Sequence, residues 1–163
     1  MGVPASPTKG SLALSAWVDR PVMLERMGVP AVPTIAVIDD HAGFRRATRA
    51  IADAAGCMVV GEAEDAEHAK ALLSSVERPD LVLMDVNLGG TSGIDLTREL
   101  VAADPQLRVV LVSTMAEADI PADAIASGAE RFVAKSQLAP EVLMVLTATP
   151  PGGGCQDPHQ DAT

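Results

Sequence analysis

Two adjacent carboxylates, Asp39 and Asp40, close a short apolar run, and a third, Asp85, closes another. Ser113-Thr114 closes a third run, and a fourth leads into Lys135. Three carboxylates gathered at one rim repel each other and lose solvation, so either their pKa values rise or a cation neutralises them. All-oxygen ligands favour a hard cation, and Mg²⁺ takes one or two carboxylates plus waters and phosphate oxygens. In such a pocket Asp85 is the natural nucleophile. The Ser113 hydroxyl and the Lys135 ammonium can each contact a phosphoryl oxygen from the far side, where they compensate charge the metal leaves uncovered. Together these residue types suit metal-assisted phosphoryl transfer to a carboxylate.

The elements that position these groups alternate along the chain. The apolar run Thr34 to Asp39 reads as a strand, and Phe44, Ala47, Ile51 and Ala55 recur at helical spacing over about His41 to Ala55, with Gly56 as the stop. Strand then helix repeats over Cys57 to Glu62 and Asp65 to Val76, and again over Asp80 to Asp85 and Gly93 to Ala103, where Asp104-Pro105 ends the helix. Leu107 to Ser113 (strand), Ala118 to Ser127 (helix), Glu130 to Ala134 (strand) and Pro140 to Ala148 (helix) complete five of each. The runs Ile35-Ala36-Val37-Ile38, Leu81-Val82-Leu83-Met84 and Val109-Val110-Leu111-Val112 are continuous rather than alternating, as expected of parallel strands buried on both faces. Right-handed crossovers then give a doubly wound α/β sandwich, whose ligand site lies beyond the carboxyl ends of its strands.

Composition narrows the function classes. A chain of 163 residues has room for one ordinary core, and 48% hydrophobic residues with only two Phe, one Trp and no Tyr make that core aliphatic. Few aromatics and a formal net charge of −10 argue against stacking on bases and against recruitment by phosphate backbones or anionic lipid, so no direct nucleic acid and no membrane partner is expected. Cys57 and Cys155 lie far apart without CxxC spacing and read as free thiols. No apolar stretch approaches membrane-spanning length, and Ser11 to Val18 is too short and serine-interrupted for a signal peptide, so the expected location is cytoplasmic. Residues 1–33, rich in Pro with scattered Gly and Ser, read as a disordered leader within which Met23 and Met27 are equally serviceable starts; residues 149–163 read as a disordered tail.

These residues in this order resemble the receiver domains of two-component response regulators. The resemblance spans about Thr34 to Ala148 and rests on Ile35 to His41, Pro79 to Val86, the Ser113-Thr114 strand end and Gly128 to Lys135. It implies a flavodoxin-like (βα)5 sandwich with a five-stranded parallel sheet of order 2-1-3-4-5. It also implies that Asp85 accepts a phosphoryl group from a sensor histidine kinase or phosphotransfer protein. By the same resemblance, Asp40, Asp85 and the backbone carbonyl of Asn87 bind Mg²⁺ directly, Asp39 helps through water, Ser113 and Lys135 hold phosphoryl oxygens, and Ser113 and Phe132 form the switch. Phe132 reads equally as core filler. No helix-turn-helix or catalytic module follows Lys135, so the expectation is a stand-alone receiver that acts on a downstream protein target or in a phosphorelay; loss of a former output domain and a homodimer both stay open. The resemblance further implies a self-catalysing phosphoryl acceptor rather than a turnover enzyme.

Departures and rivals complete the reading. Gly89 and Ser136 stand where the family usually has Pro, which predicts looser loops there and leaves open a degenerate receiver acting without phosphorylation. Asn87 and Met115 occupy the positions that in the family tune water access, and with no acid or amide at Met115 a long-lived phosphoryl state is expected. A phosphatase with an aspartyl nucleophile would need Asp-x-Asp after the first strand, whereas the spacing here is Asp39-Asp40. An isolated Asp-Asp pair commonly caps a helix. Gly89-Gly90-Thr91-Ser92-Gly93 lacks the Gly-Lys-Ser/Thr of a phosphate loop and reads as a turn. His41 and His68 read as solvent-facing residues on helices, and His159 with Asp157 and Asp161 is too sparse for a metal site.

Overall fold

Continuous apolar runs build the centre of the molecule. The computed structural model describes residues 31–116 and 119–148; most of the expected leader and all of the expected tail lie outside these residues. The sheet and its helices lie within the unit that begins at Val32.

The strands are β1 (Thr34–Ile38), β2 (Met58–Ala63), β3 (Leu81–Asp85), β6 (Val109–Ser113) and β7 (Arg131–Ala134), joined in the order β2-β1-β3-β6-β7 with every pair parallel. The helices are α1 (Ala42–Ala54), α2 (Ala66–Ser75), α3 (Gly93–Ala103), α4 (Ala122–Ile125) and α5 (Pro140–Ala148). This is the expected doubly wound arrangement, with all strand carboxyl ends on one rim. Among the described residues no helix is long and apolar enough to cross a membrane.

Strand alternation sends neighbouring side chains to opposite faces. Ala36, Ile38, Val82, Met84, Val109 and Leu111 therefore meet Leu72, Ile94, Leu96 and Leu100 of α2 and α3 on one side. Ile35, Val37, Leu81, Leu83, Val110 and Val112 meet Phe44, Ala52, Leu143 and Leu146 of α1 and α5 on the other. Both faces are dry, which is why β3 and β6 are buried at every position.

Local chemistry sets the ends. The Asp65 carboxylate accepts from the His68 N–H at 2.8 Å, and the Ser92 hydroxyl from the Asp95 N–H at 3.2 Å, so α2 and α3 start at side-chain caps. Gly56 stops α1 at φ 70°, the left-handed conformation glycine adopts without steric cost.

One feature differs from the sequence expectation and one refines it. Among the described residues of the helix expected over Ala118 to Ser127, α-helix forms at Ala122–Ile125, because Pro121 sits at its N-cap and disfavours helical geometry at Ile120. The segment after β3 is a small antiparallel hairpin, β4 (Asn87–Leu88) and β5 (Thr91–Ser92), turning through Gly89 and Gly90 at φ 56° and 100°. Two successive positive φ values suit the tight hairpin turn that matches strand twist. The segment is thus a turn, as read, and Leu88 anchors it in the core at 1% exposure.

Candidate functional site

The rim residues inherit their places from strand register. Ile38 pairs with Met84, Asp85 with Val112 and Ser113 with Ala134, so Asp39, Asp85, Ser113 and Lys135 all emerge where β1, β3, β6 and β7 end. Asp39, Asp85 and Ser113 are buried, Asp40 is half-buried, and the Lys135 side chain is largely buried at 12% exposure.

Lys135 ties the group together. Its Nζ lies 2.6 Å from Asp39 Oδ2 and 2.9 Å from Asp85 Oδ2. The other Asp85 oxygen, Oδ1, accepts from the Asn87 N–H at 3.2 Å, and Asp39 Oδ1 accepts from the His41 N–H at 2.8 Å. The α1 N-cap has no side-chain cap bond, so the acidic pair does not serve as a cap there. The Ser113 hydroxyl oxygen accepts from the Met115 N–H at 3.1 Å, which leaves its single proton available to donate to another oxygen.

Electrostatic strain is concentrated here. Burial pushes the Asp85 carboxyl pKa upward and the Asp39 charge adds to the push, against the stabilising contacts from Lys135 and the Asn87 N–H. Burial works against the Lys135 ammonium, but hydrogen bonds and charge from Asp39 and Asp85 outweigh it, so its pKa is raised and it stays cationic.

The donor set fits a hard cation. Asp39, Asp40, His41 and Asp85 each bring a ligand atom within 4.8 Å of the others. Asp39 Oδ2 is buried against the Lys135 ammonium at 2.6 Å, and three carboxylates share that one lysine charge, which leaves negative charge for a hard cation to offset. His41 is exposed, as read from sequence, yet its Nδ1 turns to within 2.6 Å of Asp40 Oδ1. Phe132 is half-buried and packs on the core face shared with α2 and α3.

Four supporting residues carry no functional signal of their own in the sequence. Arg45 donates from Nη1 to the Asp39 carbonyl at 2.5 Å and pairs with Glu62 and Glu64 at 3.6 and 3.8 Å, which pins the end of β1 against α1 and β2. Arg49 also pairs with Glu62. Phe44, read only as an apolar helix position, lies with its ring centroid 4.5 Å from Lys135 Nζ. Gly93 starts α3 hard against the Asp85 carbonyl, where a Cβ would overlap that oxygen; its glycine at a helix start was the available sequence signal.

Comparisons with known proteins agree with this geometry. Residues 35–147 match the family model described as the response regulator receiver domain. The response regulator GacA of Pseudomonas aeruginosa is 34% identical over 113 residues, 69% of this chain and 52% of GacA, so the chain spans about half the length of that relative. The chemotaxis protein CheY of Bacillus subtilis is 33% identical over 115 residues, 71% of this chain and 95% of CheY. The solved response regulator domain of Thermotoga maritima CheB superposes with a TM-score of 0.63 at 28% identity, covering 74% of this chain and all of that one. With its strand order, its acidic rim and its lysine at the end of β7, the chain belongs to the response regulator receiver domain family.

Proposed function

We propose that this chain is a phosphorylation-controlled switch whose acceptor is Asp85. Receiver domains are signalling modules that exchange phosphoryl groups with histidine kinases or phosphotransfer proteins, not turnover enzymes. The observation that carries the proposal is Lys135 Nζ held between Asp39 and Asp85 at the rim of β3, where an attacking carboxylate, a cation and a cluster of acidic ligand atoms converge.

In the proposed reaction an Asp85 oxygen attacks phosphorus of a donor phosphohistidine. The P–N bond breaks, its electron pair stays on the imidazole, and an acyl phosphate forms on Asp85. Asp40, Asp85 and the Asn87 carbonyl would hold Mg²⁺, with help from Asp39, and the ion would supply counter-charge to the carboxylates and the phosphoryl oxygens. Lys135 and the Ser113 hydroxyl take the remaining phosphoryl oxygens, and a shift of Ser113 is coupled to the half-buried Phe132 ring as the switch. Met115, 40% exposed beside Ser113, offers no group to orient an attacking water, which supports a long-lived acyl phosphate. The further reading is a cytoplasmic, stand-alone receiver with a downstream protein target.

Intact mass after incubation with Mg²⁺ and acetyl phosphate tests the proposal, with native protein beside Asp85→Asn. One added phosphoryl group, absent from the variant, is the expected result. No adduct with acetyl phosphate or with candidate kinases would instead leave a module that binds partners without phosphorylation.

A further inference from the structure

An ammonium group has three N–H donors. In Lys135 two carboxylates are in contact, Asp39 at 2.6 Å and Asp85 at 2.9 Å, and the face of the Phe44 ring lies 4.5 Å from the same nitrogen. Phe44 is the third residue of α1, half-buried, and packed on the core formed with α5. The ring therefore stands where solvent would otherwise approach the ammonium.

An aromatic face attracts a cation through its quadrupole, most strongly where water is excluded, and acts anywhere within about 6 Å of the ring centroid rather than along one N–H bond. A third carboxylate or a carbonyl in this place would add a directional acceptor that competes with an incoming phosphoryl oxygen. A ring stabilises the charge without fixing its N–H bonds. Lys135 must turn from the bare Asp85 carboxylate toward a phosphoryl oxygen once one is attached. A surface that holds the cation while leaving it free to turn meets that requirement.

We propose that Phe44 is a positioning residue that holds the Lys135 ammonium over its ring through the change from carboxylate partner to phosphoryl partner. The role rests on the reading of Asp85 as phosphoryl acceptor, and Phe44 touches neither the acceptor nor the phosphoryl group in it. Phe44→Leu keeps an apolar side chain on α1 but removes the ring face; Phe44→Tyr restores the face.

Two measurements on the full chain test it. In a carbon–proton correlation spectrum, assigned by the signal lost in Lys135→Met, the ε-methylene protons of Lys135 should lie upfield from ring current in native protein and in Phe44→Tyr, and return downfield in Phe44→Leu. Titration with beryllofluoride in Mg²⁺, a non-covalent phosphoryl mimic, should show binding weakened about fivefold in Phe44→Leu, near native in Phe44→Tyr, and no further loss when Phe44→Leu is added to Lys135→Met. A native Lys135 signal without upfield shift overturns the proposal, even if Phe44→Leu does not fold. Equal beryllofluoride affinity in native and Phe44→Leu protein also overturns it. If the native chain binds no beryllofluoride and takes no phosphoryl group while the upfield shift is present, the acceptor reading has failed, and the role of Phe44 in phosphoryl binding fails with it, although the contact itself stands.

Discussion

The two rims of the sheet contain similar residue types put to opposite uses. At the amino-terminal rim, Asp80 Oδ2 accepts from the Thr34 N–H at 2.7 Å and the Thr34 hydroxyl at 2.8 Å, and the Asp80 N–H donates back to that hydroxyl at 3.1 Å. Close by in register, Arg108 grips Glu130 with two bonds of 2.7 and 2.8 Å and also donates to the Leu146 carbonyl of α5 at 2.7 Å. At the carboxyl-terminal rim, by contrast, buried Asp39 and Asp85 share one ammonium, Lys135 Nζ at 2.6 and 2.9 Å, and burial pushes Asp85 toward its neutral form. Satisfied polar groups stabilise one end; the other crowds its carboxylates around a single lysine, an arrangement that suits the proposed cation and phosphoryl group. A protein that relaxed its acidic rim would gain stability and lose its chemistry.

The largest test of this contrast removes Arg108. Arg108→Ala leaves the partly buried Glu130 without its paired donors and frees the last turn of α5, so unfolding in urea should show a loss of about 2–3 kcal/mol. Phosphoryl uptake on the surviving native protein should be unchanged, because Arg108 and Glu130 lie at the far ends of β6 and β7 from Ser113 and Lys135. A large fall in uptake at full folding would show that the rims are not independent.

At the acidic rim the expected sign reverses. Because the Asp85 pKa is raised in the fold, its contribution to stability is present below the unfolded carboxylate pKa and is lost as pH rises through the folded value. At neutral pH without metal the ionised group works against the fold, and Asp85→Asn should raise stability by about 0.5–2 kcal/mol. The gain should shrink as pH falls through the carboxylate range, where native Asp85 takes up its own proton. Mg²⁺ should raise the melting temperature of native protein and have little effect on the variant, since a ligand stabilises only the state that binds it. A variant less stable than native at neutral pH without metal would mean that the Lys135 contact, not desolvation, dominates at Asp85.

Much of this contrast was legible in the sequence, and the parts that were not share a cause. Continuous runs such as Leu81-Val82-Leu83-Met84 can only be buried on both faces, which fixes a parallel sheet, and a parallel sheet gathers its strand ends, which fixes the company of Asp39, Asp85, Ser113 and Lys135. The family resemblance supplied the strand order, which the sheet bears out. The helix at Ala122–Ile125 was overdrawn although Pro121 stood in plain view, because the apolar residues around it outweighed a local backbone rule. The hairpin at Gly89-Gly90 had its own signal, two adjacent glycines able to take positive φ. Phe44 and Arg45 had none: their helical spacing marks Phe44 as inward-facing, but which strand end lies beneath α1 is a tertiary fact. The same holds for Thr34 and Asp80, which lie 46 residues apart and meet only once β1 and β3 pair.

Thr34→Val offers the finest test of the contrast between the rims. Valine keeps the β-branched shape suited to the first position of β1, so strand preference and packing change little. What it removes is one hydroxyl that both donates to Asp80 Oδ2 and accepts from the Asp80 N–H. The carboxylate retains the Thr34 backbone donor, since a substitution does not touch the N–H. The expected cost is therefore that of a single partly buried hydroxyl, about 1 kcal/mol, read as a shift in the urea midpoint at constant slope. Asp85 phosphorylation should be unaffected, because register carries Thr34 and Asp39 to opposite ends of the same strand. A loss of phosphoryl uptake equal to or larger than the loss of stability would show that the amino-terminal rim holds β1 in the position the acidic pair requires, and the division between a stabilising rim and a reactive one would then give way to a single strained strand linking the two.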